Sequence, residues 1–275
     1  MLKQLLILTE NSDLYSNLRW KEECFSLNLE LSFRNPYLRP AGAPFKGPTL
    51  LRTTGFRYDD SDLENYALSQ SIYNTISISK ALRDKWSQAL LFKKLSLPSP
   101  RCWRIEERPY GHNQLVLKTL RGSKGIGVEL LDGARNIETR LFELEEKKDS
   151  NYLLQEYIKN FREFRVLYSF GEVIGVLEKL PNSEDFRRNA SLHPDYCRPL
   201  RFEQLPDPII KLLVSTVSKL NFHLVGIDLI LEQEEASLLE INLVPGFKQL
   251  EVATGKNIAQ VILKQMIEKC RWNFD

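Results

Sequence analysis

Asp228, Glu240 and Asn242 are the residues whose types and spacing most directly suggest chemistry. They lie in "GIDLI" and "LLEINLVPG", two apolar stretches separated by the polar run 232–235. In a strand, Glu240 and Asn242 are two apart and emerge on one face, while Leu239, Ile241 and Leu243 point to the other. Across a hairpin that turns around Gln233 to Glu235, Asp228 can approach Glu240. Two carboxylates and an amide oxygen then converge. Without a cation, their repulsion in a partly desolvated place costs on the order of a few kcal/mol, and a divalent ion removes that conflict. Oxygen-only ligands favour Mg²⁺ or Mn²⁺ over zinc, and Mg²⁺ commonly completes its octahedron with water and nucleotide phosphates. The alternative is an exposed hairpin with ordinary surface acids.

A second stretch, "LKTLRGSKGIGVELL" at 117–131, places three glycines, a serine and two lysines between apolar flanks. The P-loop pattern G-x-x-x-x-G-K-[ST] does not occur in it, and the dinucleotide pattern G-x-G-x-x-G fails after Gly127 for want of a third glycine. The flanks read as short strands joined by a glycine loop longer than a two-residue hairpin turn. Backbone N–H groups in such a loop can turn toward an anion, which makes it a flap over a ligand. The alternative is a surface hairpin with two solvated lysines.

The elements that must position these groups follow from composition and punctuation. The chain has 275 residues and is 43% hydrophobic, enough for a substantial core. Lys and Arg number 38 against 36 acidic residues, so a net charge of +2 gives no general nucleic-acid surface, and anion binding must be local. Cys24, Cys102, Cys197 and Cys270 form no C-x-x-C pair, which argues against a zinc site or a disulfide framework. The opening "MLKQLLILTENSD" reads as a first strand rather than a signal peptide, and no later run is long enough to span a membrane. A cytosolic enzyme or binding protein is the resulting expectation.

After that strand the proline- and glycine-rich region to about residue 60 excludes long helices and suggests a small α/β domain. Helices are expected at "SDLENYALSQSIYN" and, as one unit, at "SISKALRDKWSQALLFKKL", which carries Lys85 on or near its polar side. The charged "ETRLFELEEKKD" reads as a helix with a solvated face, and "YLLQEYI" as a strand. "EFRVLYSFGEVIGVLEKL" reads as two antiparallel strands around Phe170-Gly171-Glu172, and "DPIIKLLVSTVSKL" and "KNIAQVILKQMIEKC" read as helices. The layout is α+β around mostly antiparallel strands.

Taken in order, "ALRDKW", "LVLKTLRGSKGIGVELL", "LLQEYI", "EFRVLYSFGEVIGVLEKL", "DFRRNASL", "GIDLI" and "LLEINLVPGFKQLEVATGKNIA" resemble the ATP-grasp fold of the RimK-type α-L-glutamate ligase family, from about residue 80 to 262. The N-terminal part resembles it only loosely. The resemblance implies a small N-terminal α/β domain over 1–80 and a smaller ATP-grasp subdomain with the glycine lid over 81–158. A C-terminal subdomain with the metal site would occupy 159–275, the two α+β subdomains clasping ATP. It implies that Ser123, Lys124 and Gly125 belong to a flap over the ATP phosphates, with Lys118 and Lys85 contacting them. Gln155, Glu156, Tyr157 and Ile158 would match the hinge that receives adenine, and Asp228, Glu240 and Asn242 the ligands of Mg²⁺ or Mn²⁺. Arg187 and Asn189 would match the family's "FRxN" positions near the reacting groups, with Arg165 and Lys179 as further anion contacts or, equally, strand-surface cations.

Two departures stand out. Glu163 occupies a nucleotide-facing position where the family usually has Asp. The basic, glycine-rich segment that often follows "FRxN" is replaced by "ASLHPDYCRPL", which puts the acceptor in doubt. His193 there reads as a solvated loop histidine rather than a proton shuttle, and Arg198 and Arg201 either bind an acidic substrate or face solvent. The activity implied is ATP-dependent carboxylate-amine ligation through an acyl phosphate. Its partners would be ATP, a carboxylate-bearing substrate and an amino-acid or amine acceptor, with no nucleic acid and no membrane. A homo-oligomer is left open. The alternative is a non-catalytic nucleotide-binding regulatory protein with the same fold.

Overall fold

The computed structural model describes residues 3–38, 45, 47–53, 72–107, 109–122, 126–181 and 196–269. They form three sheets. The first is parallel, in the order β2-β1-β3-β4, from β1 (Lys3–Leu8), β2 (Leu29–Arg34), β3 (Thr49–Leu51) and β4 (Ile72–Tyr73). The region read as free of long helices carries one, α1 (Tyr15–Ser26), twelve residues with no Pro or Gly, which buries Trp20 and Cys24 at i, i+4 spacing. The expected helix over 61–74 ends differently, because Ile72 and Tyr73 form β4 and the preceding residues fall outside the described ones.

The single helix expected before residue 95 is two, α2 (Ile76–Ala81) and α3 (Lys85–Lys94). Asp84 separates them. Its extended backbone and a carboxylate that accepts from Ser87 N at 2.8 Å make it the N-cap of α3, a more favourable place for Asp than a helix interior.

The second sheet is antiparallel, in the order β5-β8-β6-β7, with β5 (Cys102–Arg104), β6 (Gln114–Thr119), β7 (Val128–Asp132) and β8 (Tyr152–Glu156). Helix α4 (Ala134–Glu146) covers it through Ile137, Leu141 and Leu144, which pack with Leu115, Leu117, Leu131 and Leu154. The charged run therefore has a buried stripe beneath its solvated face.

The third sheet is also antiparallel, in the order β11-β10-β9-β12-β13. Its strands are β9 (Arg162–Ser169), β10 (Glu172–Lys179), β11 (Cys197–Leu200), β12 (Leu224–Glu232) and β13 (Glu235–Asn242). Phe170 and Gly171 join β9 to β10 in a two-residue turn with positive φ at both positions, 46° and 100°. One face packs on α5 (Asp207–Lys219) through Ile209, Leu212 and Leu213, together with Leu82 and Phe92. The other face contributes Leu167, Leu177 and Leu224 to a core shared with Leu5, Ile7, Trp20 and Leu50 of the first sheet and its helix. Phe247 and Leu250, of α6 (Lys248–Thr254) and its start, and Ile262 and Met266 of α7 (Ile258–Lys269) complete that core. Strand β12 is thus covered on both faces, which explains why it is almost wholly apolar and why Asp228 within it is conspicuous.

Candidate active site

Three neighbouring strands bring the charged groups into one row. Arg165 of β9 is the cross-strand partner of Asp228 on β12, and Asp228 is the partner of Glu240 on β13. The Arg165 guanidinium grips Asp228 in a fork, at 2.8 Å from Nε and 2.5 Å from Nη2. On β10, Lys179 pairs in register with Glu163, donates to its carboxylate, and reaches Asp228 Oδ1 at 3.2 Å. Asp228, Lys179 and Glu163 are buried, so Lys179 is not a strand-surface cation. Burial by itself would push the Asp228 carboxyl up, but Arg165 and Lys179 outweigh it and hold the group down at about 2. Arg165 is raised in turn, its desolvation overcome by Asp228.

The hairpin is irregular between Asp228 and Leu229, where Leu239 stands as the extra residue opposite them. The shift keeps Glu240 opposite Asp228 and turns it toward a cleft between the second sheet, α3 and the β12–β13 hairpin. About 370 Å³ of space there is lined by Lys85, Gln88, Cys102, Lys118, Gln155 and Glu240 among others. Lys118 Nζ donates to Gln155 Oε1 at 2.5 Å, and Gln155 Nε2 faces Cys102 Sγ at 3.4 Å. Lys85 opens α3, with its amide on Leu120 O at 3.1 Å and its ammonium on Gly122 O at 2.9 Å. Desolvation lowers the Lys118 pKa, with Glu240 offsetting part of that and Lys85 adding to it. Two ammonium groups held by neutral oxygens beside one carboxylate leave the cleft suited to an anion.

The positions singled out in the sequence divide accordingly. Lys85, Lys118, Gln155 and Glu240 line one cleft, and Glu163, Arg165, Lys179 and Asp228 form the adjoining network. Asn242 sits at the end of β13, where its Oδ1 accepts from Val244 N at 2.8 Å and shapes the turn that follows. Glu156 turns to β5, its amide on Arg101 O at 2.9 Å, and Tyr157 and Ile158 follow half-buried. Ser123, Lys124, Gly125, Arg187, Asn189 and His193 lie outside the described residues. Arg198 is committed to Glu178, to which Arg162 also bonds at 2.8 Å. Sequence reasoning missed Gln88 and Cys102. A lone glutamine and a lone cysteine on short elements carry no pattern that separates them from ordinary core edges.

Among the described residues no group of three or more His, Cys, Asp or Glu is gathered for a metal. Asp228, Glu240 and Asn242 offer only oxygens, two acids and one amide, a chemistry that suits a hard divalent cation. In this structure Arg165 and Lys179 hold the Asp228 carboxylate and the Val244 N–H holds Asn242 Oδ1, which leaves Glu240 as the carboxylate that faces the cleft.

The comparisons with known proteins fit this geometry. Residues 105–266 match the RimK-like ATP-grasp domain. The chain is 26% identical, over 98% of its own length and 97% of the relative's, to a probable alpha-L-glutamate ligase 2 of Pseudoalteromonas atlantica. It is likewise 26% identical, over 97% and 95%, to a probable alpha-L-glutamate ligase of Marinomonas. Among solved structures, D-cycloserine synthetase DcsG superposes with a TM-score of 0.71 at 13% identity, covering 96% of this chain and 99% of that one. The ATP-grasp ligase PsnB, complexed with a phosphomimetic variant of its minimal precursor, Mg and ADP, gives 0.71 at 15% identity over 96% and 97%. The fold is that of the ATP-grasp ligases, and the chain belongs to the RimK-like ATP-grasp family.

Proposed function

We propose that this chain is an ATP-dependent carboxylate-amine ligase that joins an amino acid to a carboxylate-bearing small molecule, peptide or protein. The observation that carries the reading is the convergence of Lys85, Lys118 and Glu240 in the cleft beside the Arg165–Asp228 fork. Members of such a family bind ATP between two sheets. Here Gln155, Glu156, Tyr157 and Ile158 offer the adenine edge, Glu163 faces the sugar, and Lys85 and Lys118 meet the phosphates. Ser123, Lys124 and Gly125 are assigned to the phosphates as well, on the family resemblance.

In the reaction a substrate carboxylate oxygen attacks the γ-phosphorus, ADP leaves, and an acyl phosphate results. The amine then attacks the acyl carbon, inorganic phosphate leaves, and an amide forms with loss of a proton from the amine. Asp228, Glu240 and Asn242 would hold Mg²⁺, which would supply positive charge to offset the charge that develops on the transferring phosphoryl group. The protein contributes position and charge: the lysines hold the phosphates, and Arg165 fixes the Asp228 carboxylate. Lys179 holds Glu163, and Arg187 and Asn189 are assigned to the transferring group. Closure over the cleft excludes water that would hydrolyse the acyl phosphate.

The test is phosphate release from Mg-ATP with pooled amino acids and peptides, followed by mass analysis of the product. A product heavier than its acceptor by one amino-acid residue supports the reading. Tight ATP binding without release under any pool would favour the nucleotide-binding regulator instead. Asp228→Asn and Glu240→Gln should each abolish release and weaken Mg-nucleotide binding, and full turnover in both would remove the metal assignment.

A further inference from the structure

The first sheet carries a second polar focus, separate from the ATP-facing cleft. The chain leaves β1 for β2 on one side of it and returns to β3 on the other, so the carboxyl ends of β1 and β3 flank the point where the winding reverses. Open parallel sheets receive ligands in the crevice at such a point. Helix α1 begins there. Its N-cap, Leu14, offers no side-chain hydrogen bond and its first turn holds no acidic residue, so no side chain of that turn offsets the positive end of the helix.

Arg52 follows β3 at the same edge, its amide bonded to Leu8 O at 2.8 Å. Its side chain is 1% exposed. Nη2 donates to Ser16 Oγ in the first turn of α1 at 2.8 Å and to Pro245 O at 3.3 Å, whereas Nε and Nη1 have no acceptor. The guanidinium lies 4.7 Å over the Trp20 ring, whose own Nε1–H is also buried without an acceptor. Among the described residues no carboxylate pairs with Arg52, and burial alone pushes its pKa down to about 9. Buried charges are ordinarily paired and buried donors ordinarily bonded. Three donors without acceptors lie beside the first turn of α1, against one orphaned acceptor there, Asn17 Oδ1, and that excess of donors has the chemistry of an anion receptor.

The position says which anion. Pro245 lies three residues beyond Asn242, on the loop that leaves the acidic hairpin, and the next residues, Gly246 and Phe247, line with Arg165 and Gly226 a second crevice of about 370 Å³. This focus therefore borders the reacting end of the site, while Lys85 and Lys118 occupy the other cleft. A guanidinium fork with a neighbouring hydroxyl matches a planar two-oxygen group. We propose that Arg52, Ser16 and the first turn of α1 form a subsite for the free carboxylate of the substrate amino acid, the one that is not converted to an amide. The proposal rests on the ligase reading and adds to it a specificity determinant from the N-terminal sheet.

The test compares wild type with Arg52→Met, Arg52→Lys and Ser16→Ala. Phosphate release is measured from Mg-ATP and the carboxylate-bearing acceptor found in the product screen, with each of the twenty L-amino acids, and then with the α-carboxamide of the best one. Arg52→Met should raise the KM of the amino acid about tenfold or more, as the loss of a charged hydrogen bond implies, while the KM of ATP and the melting temperature are kept. It should also cease to distinguish the acid from its carboxamide, a distinction a merely structural arginine would not make. Ser16→Ala and Arg52→Lys should raise the same KM less, and they carry the comparison if Arg52→Met does not fold. An unchanged KM in these variants, or a carboxamide that serves wild type as well as the acid, overturns the subsite while leaving the ligase reading intact. Wild type that releases phosphate with no amino acid overturns the ligase reading, and the subsite with it.

Discussion

The side-chain amide of Gln88 pairs with both backbone groups of Ile241, donating from Nε2 to the carbonyl at 3.1 Å and accepting from the N–H at Oε1 at 3.0 Å. Ile241 lies between Glu240 and Asn242 on β13, the edge strand of its sheet. Gln88 thus takes the place of a missing neighbouring strand, and Pro98 O does the same for Leu238 N at 2.7 Å. Because Lys85 and Gln88 are three apart on α3, one helix face both presents an ammonium to the cleft and fixes the strand that carries two of the acidic hairpin's oxygen donors.

Gln88→Leu should therefore affect stability and binding together. Leucine conserves much of the volume but strands the N–H and C=O of Ile241 in a buried place, at about 1–3 kcal/mol for each unmet group. A loss of roughly 2–6 kcal/mol is expected from urea unfolding, with weaker Mg-ATP binding in the folded protein. A variant with wild-type midpoint and affinity would show that the pairing positions nothing.

Lys118 should show the opposite combination. Its ammonium is desolvated, with its pKa lowered, and its bond goes to the neutral Gln155. Lys118→Met removes a charge that the nucleotide-free fold holds at a cost, so the melting temperature should stay level or rise. Nucleotide affinity should fall roughly 10- to 100-fold, the equivalent of one charged hydrogen bond to phosphate. Thermal melts with and without Mg-ADP read both quantities, and an undiminished shift on adding Mg-ADP would remove Lys118 from the phosphate contacts.

What the sequence made legible was local. The hairpins of the third sheet follow from two-residue alternation and turn residues such as Phe170-Gly171, and the Asp228–Glu240 apposition needs only one such hairpin. The Arg165–Asp228 fork needs β9 to lie beside β12, a strand 63 residues on in register, which no periodicity encodes. Gln88 meets Ile241 across 153 residues. Helix α1 escaped notice because its buried stripe is narrow, chiefly Trp20 and Cys24, while Phe25 is exposed and the prolines downstream dominate the local composition. Family resemblance supplied the order of segments, and packing supplied the contacts between them.

Gly175 tests the seam between the third sheet and α6. A Cβ there would stand 2.2 Å from Leu250 Cδ2 and 2.9 Å from Leu250 Cγ, and Leu250 is buried. Gly175→Ala should cost about 1–3 kcal/mol by overpacking, and Leu250→Ala about 2–5 kcal/mol by leaving a cavity. The double variant should be less destabilised than the sum, since each change relieves the other. Strict additivity in urea unfolding would mean that the two side chains do not share the space.

Glu178 gives the pH dependence. The carboxylate is buried, accepts from Arg162 Nε at 2.8 Å and from Arg198 Nε at 3.2 Å, and is approached by Arg198 Nη2 as well. Burial pushes its pKa up, but the two guanidinium groups overcome that and the group lies below its ordinary 4.5. On unfolding the carboxyl returns to its ordinary value, so the unfolded chain takes up the proton first as pH falls. The stabilisation is therefore complete above about pH 4.5 and is lost as pH drops from there through the lower folded value. Both arginines are about half exposed, which screens the pair and reduces the cost of breaking it to about 1–2 kcal/mol, below that of a fully buried bridge. Glu178→Gln should show that loss at pH 7 and a shallower decline of melting temperature below pH 4.5 than wild type. It should leave the KM of every substrate unchanged, because Arg198 serves Glu178 rather than a ligand. Parallel melting curves across the acid range would dismiss the ion pair as a source of stability, and a changed KM would return Arg198 to the substrate site.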